Sequence, residues 1–282
     1  MKTKLILDTD IGDDIDDAFA LALAIQAPEC DLVGVTTIYQ DTTARATVAC
    51  KLLHVTGRDD VPVATGRRTG DICRDQKKWA EGFATKKAIT QPAAEFIVEQ
   101  CKAQPRQITL VTIGPLTNLA DALAIEPNLS RYVKAVVSMA GMADNEKGKD
   151  LPMAEWNVRC DVSAAKTFFA AGLNVAMVGL DVTMAMKVPG SYLDQLKAST
   201  TPIGRALEAL RVLWAHGTPT MHDPLALAHA LGHTFFDLVP RHIEVDDEAR
   251  TLSRQGTPNA TVALHPQVEH FMKYYFGTVL GE

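Results

Sequence analysis

Paired cysteines are missing from this chain. The five that occur (Cys30, Cys50, Cys73, Cys101 and Cys160) are odd in number, widely spaced and without a CxxC pair, so neither a disulfide framework nor a thiolate zinc site is expected. Basic charge is also short: 28 Lys and Arg stand against 34 Asp and Glu, a formal net charge of -6. Gripping a phosphate backbone takes a concentrated basic surface, so the balance argues for a small-molecule substrate and against a nucleic acid. Long hydrophobic runs are lacking too. After MKTK the first apolar run, Leu5, Ile6 and Leu7, gives way to Asp8, too soon for a signal-peptide core or a membrane span. A reduced, cytoplasmic protein with no membrane partner is the expectation. No internal repeat, low-complexity tract or linker interrupts residues 1–282, which read as a single domain.

What is present is an alternation. Short β-branched or apolar runs occur at Lys4 to Leu7, Leu32 to Ile38, Val61 to Ala64, Ile108 to Ile113, Val133 to Met139 and Val175 to Val178. Between them, Asp17 to Ala27, Thr42 to Val55, Pro92 to Gln104, Pro115 to Ile125 and Val162 to Ala171 carry apolar residues at helical spacing. This βαβα order predicts an α/β fold: an open, mostly parallel, Rossmann-like sheet with helices on both faces. Ligands of such sheets sit beyond the carboxyl ends of the strands. Three stretches without regular period, Gly66 to Thr90, Ala140 to Met153 and Lys187 to Pro202, are expected to be irregular covers over that crevice.

At the end of the first strand stands LILDTDIGDDIDDAFALAL, Leu5 to Leu23, with six aspartates between Asp8 and Asp17. Acidic residues in a first helical turn favour the positive end of the macrodipole, which accounts for Asp14, Asp16 and Asp17. It does not account for Asp8 and Asp10, because carboxylates crowded at a strand terminus repel one another unless a cation joins them. Clustered oxygen donors suit a hard ion such as Ca²⁺ or Mg²⁺. An EF-hand is a poor match, since Gly12 is misplaced and no closing glutamate follows. A haloacid-dehalogenase-type Mg²⁺ phosphatase shares the Asp-x-Asp arrangement and remains an alternative.

Other strand ends add donors. Ile108 to Ile113 is followed by GPLTNLADAL, where Gly114 turns the chain and the Ile113 carbonyl can face the crevice. MAEWNVRCD places Glu155 and Asn157 two apart, on one side of a segment read as extended. MHDPLALA brings His222 and Asp223 together just before Pro224. His229 and His233 are read as packing or surface residues, as are Trp79 and Trp214.

With these four motifs, DTDIGDDIDDAFAL, LVTIGPLTNLA, MAEWNVRCD and MHDPLAL, in this order, the chain resembles the inosine–uridine nucleoside hydrolase family over nearly its whole length. The resemblance implies hydrolysis of the N-glycosidic bond of ribonucleosides to free base and ribose, through an ion-activated water and an oxocarbenium-like transition state. It implies Ca²⁺ held by Asp10, Asp17, Asp223 and the Ile113 carbonyl, with Asp16 as general base. It implies Glu155 and Asn157 on ribose hydroxyls, and His222 placed to protonate the leaving base near neutral pH. A homodimer or homotetramer is implied as well.

The first motif is two residues longer than the family's commonest DxDPGxDDA form, which leaves Asp13 and Asp14 open as bases. Asp41 occupies the expected asparagine position after the second strand, and Asn145 is the candidate on the ribose 5′ side; both enter as substrate-binding candidates. A third reading, a catalytically silent Ca²⁺-dependent nucleoside-binding protein, would keep the same pocket. Base preference is not legible.

Overall fold

In the computed structural model, residues 2–143 and 153–281 are described; Asn145 lies outside them. β1 (Thr3–Thr9) shows why its sequence is apolar without alternation. Leu5 and Leu7 enter one hydrophobic core and Ile6 a second, as opposite faces of one strand must when helices cover the sheet on both sides.

From there the chain follows βα order: α1 (Asp16–Gln26), β2 (Cys30–Thr37), α2 (Thr42–Val55), β3 (Val63–Thr65), α3 (Ala93–Ala103), β4 (Ile108–Thr112) and α4 (Thr117–Ile125). Next come β5 (Ala135–Ser138), α5 (Trp156–Cys160), α6 (Val162–Ala170), β6 (Val175–Met177), α7 (Leu180–Thr183), α8 (Gly190–Ala198), α9 (Pro202–Trp214) and α10 (His222–Ala230). The chain closes with β7 (Asp237–Val245), β8 (Thr251–Arg254), β9 (Ala260–Leu264) and α11 (Val268–Leu280).

The nine strands form one sheet in the order β3-β2-β1-β4-β5-β6-β9-β7-β8. All pairings are parallel except those of β7 with β9 and β8. The α/β class with a mostly parallel sheet is therefore as expected. Strand order reverses beside β1, since β2 and β3 lie on one side and β4 on the other. A crevice opens at such a reversal, outside the carboxyl ends of the flanking strands, and both β1 and β4 run into the acidic and carbonyl motifs.

Two expectations need correction. Lys187 to Pro202 is not irregular, because α8 occupies its middle and packs Tyr192, Leu193 and Leu196 against the core. Gly66 to Thr90 is not a loose cover either. A 3₁₀ turn, Asp75–Ala80, sits in it, and its buried Gln76 bonds the acidic turn itself. Among the described residues, no helix is long and apolar enough to cross a membrane.

Candidate active site

β1 continues through Asp8 to Thr9, so Asp8 is a strand residue paired in register with Thr36 and Thr112. Its Oδ1 accepts from Thr36 Oγ1 at 2.6 Å and from Asn118 Nδ2 at 2.7 Å, while burial pushes its carboxyl up to about 7. Asn118 also donates to the Thr37 carbonyl. Together these bonds tie β1, β2 and α4 under the crevice.

Beyond Thr9 the chain turns through Gly12, at φ +122, a conformation glycine adopts without strain. The N-cap of α1 is Ile15, with no side-chain capping bond, so capping does not explain Asp16 and Asp17. Asp17 instead accepts from Thr9 Oγ1 at 2.5 Å, and Asp16 accepts from the backbone N–H of Asp223 at 3.3 Å. α10 packs on α1, which brings the last motif to the first. Oxygens of Asp16, Asp17 and Asp223 lie within 4.8 Å of one another, and all three residues are buried. Gly114 leaves room for a fourth carboxylate: a Cβ there would stand 2.9 Å from Asp10 Oδ1.

These groups line a cavity of about 560 Å³, together with Ile113, Glu155, Asn157 and His222. Burial first, then the neighbouring carboxylates, drives Asp16, Asp17 and Asp223 well above the ordinary carboxylate value. Asp10 rises to about 7 by burial, opposed by Arg45. Four buried carboxyl groups with all-oxygen donors fit a hard divalent cation, whose charge offsets the repulsion they otherwise suffer.

Glu155 and Asn157 reach the cavity by a different local structure from the one expected. The segment is not extended: Glu155 is the N-cap of α5 and Asn157 lies in that helix. The Glu155 carboxylate accepts from the N–H groups of Asn157 at 2.8 Å, Gly141 at 3.0 Å and Val158 at 3.1 Å, and burial raises its pKa against those bonds. Asn157 Nδ2 donates to the carbonyls of Ile113 and Met139, both at 3.0 Å.

His222 opens α10, with Nδ1 2.8 Å from Thr183 Oγ1. Burial pushes its imidazole down to about 4. Asp41 does not line the cavity. It is the N-cap of α2, accepting from Ala44 N–H at 3.1 Å and pairing with Arg68 at 3.3 Å. Asp13 and Asp14 both line the cavity; Asp13 is held by Arg45 at 2.8 Å and by the Arg74 N–H at 2.7 Å, and Asp14 Oδ1 accepts from the Ile15 N–H at 2.6 Å.

Comparison with known proteins settles the kinship. The family model described as inosine-uridine preferring nucleoside hydrolase matches residues 5–273. The chain belongs to that family. The hydrolase is 33% identical over 301 residues to the non-specific ribonucleoside hydrolase RihC of Klebsiella pneumoniae, covering 97% of each chain. It is 35% identical to probable uridine nucleosidase 2 of Arabidopsis thaliana, over 73% of this chain and 68% of that one. Among solved structures, the plant nucleoside hydrolase PpNRh1 superposes with a TM-score of 0.89 at 26% identity, covering 100% of both chains.

The hydrolase is thus an enzyme of the N-glycosyl class acting on ribonucleosides, and its acidic cluster is one that could hold the metal on which this family depends. Neither the phosphatase nor the silent binding protein finds support. Sequence reading missed Thr9 and Thr183, which hold Asp17 and His222, and the cavity positions of Arg74, Arg159 and His216. Only Thr9 carried a signal, being enclosed by two aspartates. Trp214, read as packing, lines the cavity as well.

Proposed function

We propose that the hydrolase cleaves purine and pyrimidine ribonucleosides alike, with Ca²⁺ as its cation. Asp10, Asp17, Asp223 and the Ile113 carbonyl would hold the ion. When bound, the ion supplies charge that orients ribose hydroxyls and makes an attacking water more acidic. Asp16 takes the proton of that water; its place beside Asp17 and Asp223, within 4.8 Å, is the observation that carries the reading. Glu155 and Asn157 receive ribose hydroxyls at the wall formed by α5. As the bond to the base breaks, positive charge grows on the sugar and the surrounding carboxylates stabilise it.

With Nδ1 held 2.8 Å from Thr183 Oγ1, His222 would meet the departing base through its other ring nitrogen. Breadth toward bases is supported by the full-length likeness to relatives named non-specific. Trp156 and Trp214 in the cavity lining offer flat faces that suit either ring size. A cytoplasmic homodimer or homotetramer completes the proposal; the five cysteines are all unpaired, in keeping with a reducing compartment, and sedimentation would give the subunit count.

The deciding experiment measures reducing sugar released from a panel of ribonucleosides, with and without chelator, beside Asp16→Asn. Sugar released from inosine and uridine, and lost on chelation and in the variant, is the expected result. Release from one base class alone overturns the breadth, and release that survives chelation overturns the metal.

A further inference from the structure

The longer turn between β1 and α1 is gripped from two sides. From α2 comes Arg45, whose side chain is 0% exposed. Its Nε donates to the Tyr39 carbonyl at 2.7 Å, one terminal nitrogen donates to the carbonyls of Asp10 and Ile11, and the other to Asp13 Oδ2 at 2.8 Å. From the segment after β3, the Arg74 N–H reaches Asp13 Oδ1 at 2.7 Å, and Gln76 Nε2 reaches the Asp14 carbonyl at 2.7 Å. The fit is close: a Cβ on Gly12 would lie 2.6 Å from Cys73 Sγ and 3.7 Å from Arg45 Nη1.

We propose that Arg45 is a positioning residue for the hydrolysis, fixing the backbone of Asp10 and the extended turn so that the carboxylates of Asp10, Asp16 and Asp17 converge. Asp13 is its built-in counter-charge and takes no part in proton transfer. The proposal rests on the hydrolase reading of the cavity. A guanidinium is suited to the task because its planar fork of five N–H donors serves several carbonyls and a carboxylate at once, whereas a lysine ammonium cannot span them. It also stays charged when buried, placing one permanent positive charge behind an acidic wall.

The test compares the wild-type enzyme with Arg45→Lys, Arg45→Met and Asp13→Asn. Three quantities are read: the Ca²⁺ dissociation constant by chelator competition, kcat and KM per Ca²⁺ site, and thermal melting. Arg45→Lys should melt cooperatively, bind Ca²⁺ about tenfold or more weakly and lose kcat by a similar factor, with KM little changed. Asp13→Asn should move in the same direction by less. If Arg45→Met fails to fold, Arg45→Lys decides. A folded Arg45→Lys with wild-type Ca²⁺ affinity and kcat, or a loss confined to melting temperature, overturns the proposal. A wild-type protein that neither binds Ca²⁺ nor releases sugar fails the hydrolase reading first, and the proposal with it.

Discussion

Asp16, Asp17 and Asp223 are chemically identical and stand within 4.8 Å of one another, yet the proposed mechanism gives Asp16 a proton-transfer role and the other two a cation. Substitution separates them. Asp16→Asn should lower kcat by about 100-fold or more, the usual worth of a general base, while weakening Ca²⁺ binding less than Asp17→Asn or Asp223→Asn does. Calorimetric titration with Ca²⁺ beside steady-state rates would read both quantities. Equal loss of affinity in all three variants makes Asp16 a ligand and moves the base to Asp14, which also lines the cavity.

Among the elements, α2 illustrates how a side chain at the right sequence position takes different employment. Asp41 follows β2 where a substrate contact was expected, but its carboxylate caps α2 through Ala44 N–H. Asp41→Ala should therefore cost about 1 kcal/mol of stability, as loss of an N-cap does, and leave KM for the nucleoside unchanged; denaturant melts and initial rates check the pair. The parallel strands were legible because burial on both faces demands continuous apolar runs, as in β1. β7 was not: it pairs antiparallel, is half exposed and contains Pro240, so neither alternation nor a run marks it. Glu155 and Asn157 were legible as residues of the cavity but not as parts of a helix, since α5 is only five residues long and shorter than the period that would reveal it. Arg45 carried no readable role because its partners are mostly carbonyls, which leave no trace in side-chain identity.

At the scale of the whole molecule, the buried carboxylates couple protonation, metal and stability. Asp8 and Asp10 hold their protons to about pH 7 in the folded protein but release them near 3.8, the ordinary carboxylate value, when unfolded. Between these values the unfolded chain binds fewer protons, so the metal-free protein loses stability as pH rises from about 4 to about 7. Its melting temperature should fall across that window. The proposed Ca²⁺, at a hundredfold excess over its dissociation constant, would contribute about 2.7 kcal/mol, a rise of about 5 °C for a chain of this size. That rise should be larger at pH 7 than at pH 5, where protons compete for the same oxygens. A calorimetric scan with and without chelator at several pH values tests this, and a metal-free melting temperature that climbs with pH would contradict it.

The bond from the Asp223 N–H to Asp16 spans 207 positions of sequence. During translation, the first motif leaves the ribosome long before the last, and the cation pocket has no third wall until α10 follows. With the proposed ligand set, ion capture would be a late step in the life of each new molecule. A chain halted short of α10 would carry every aspartate of the opening motif and still lack the Asp223 carboxylate that completes the cluster.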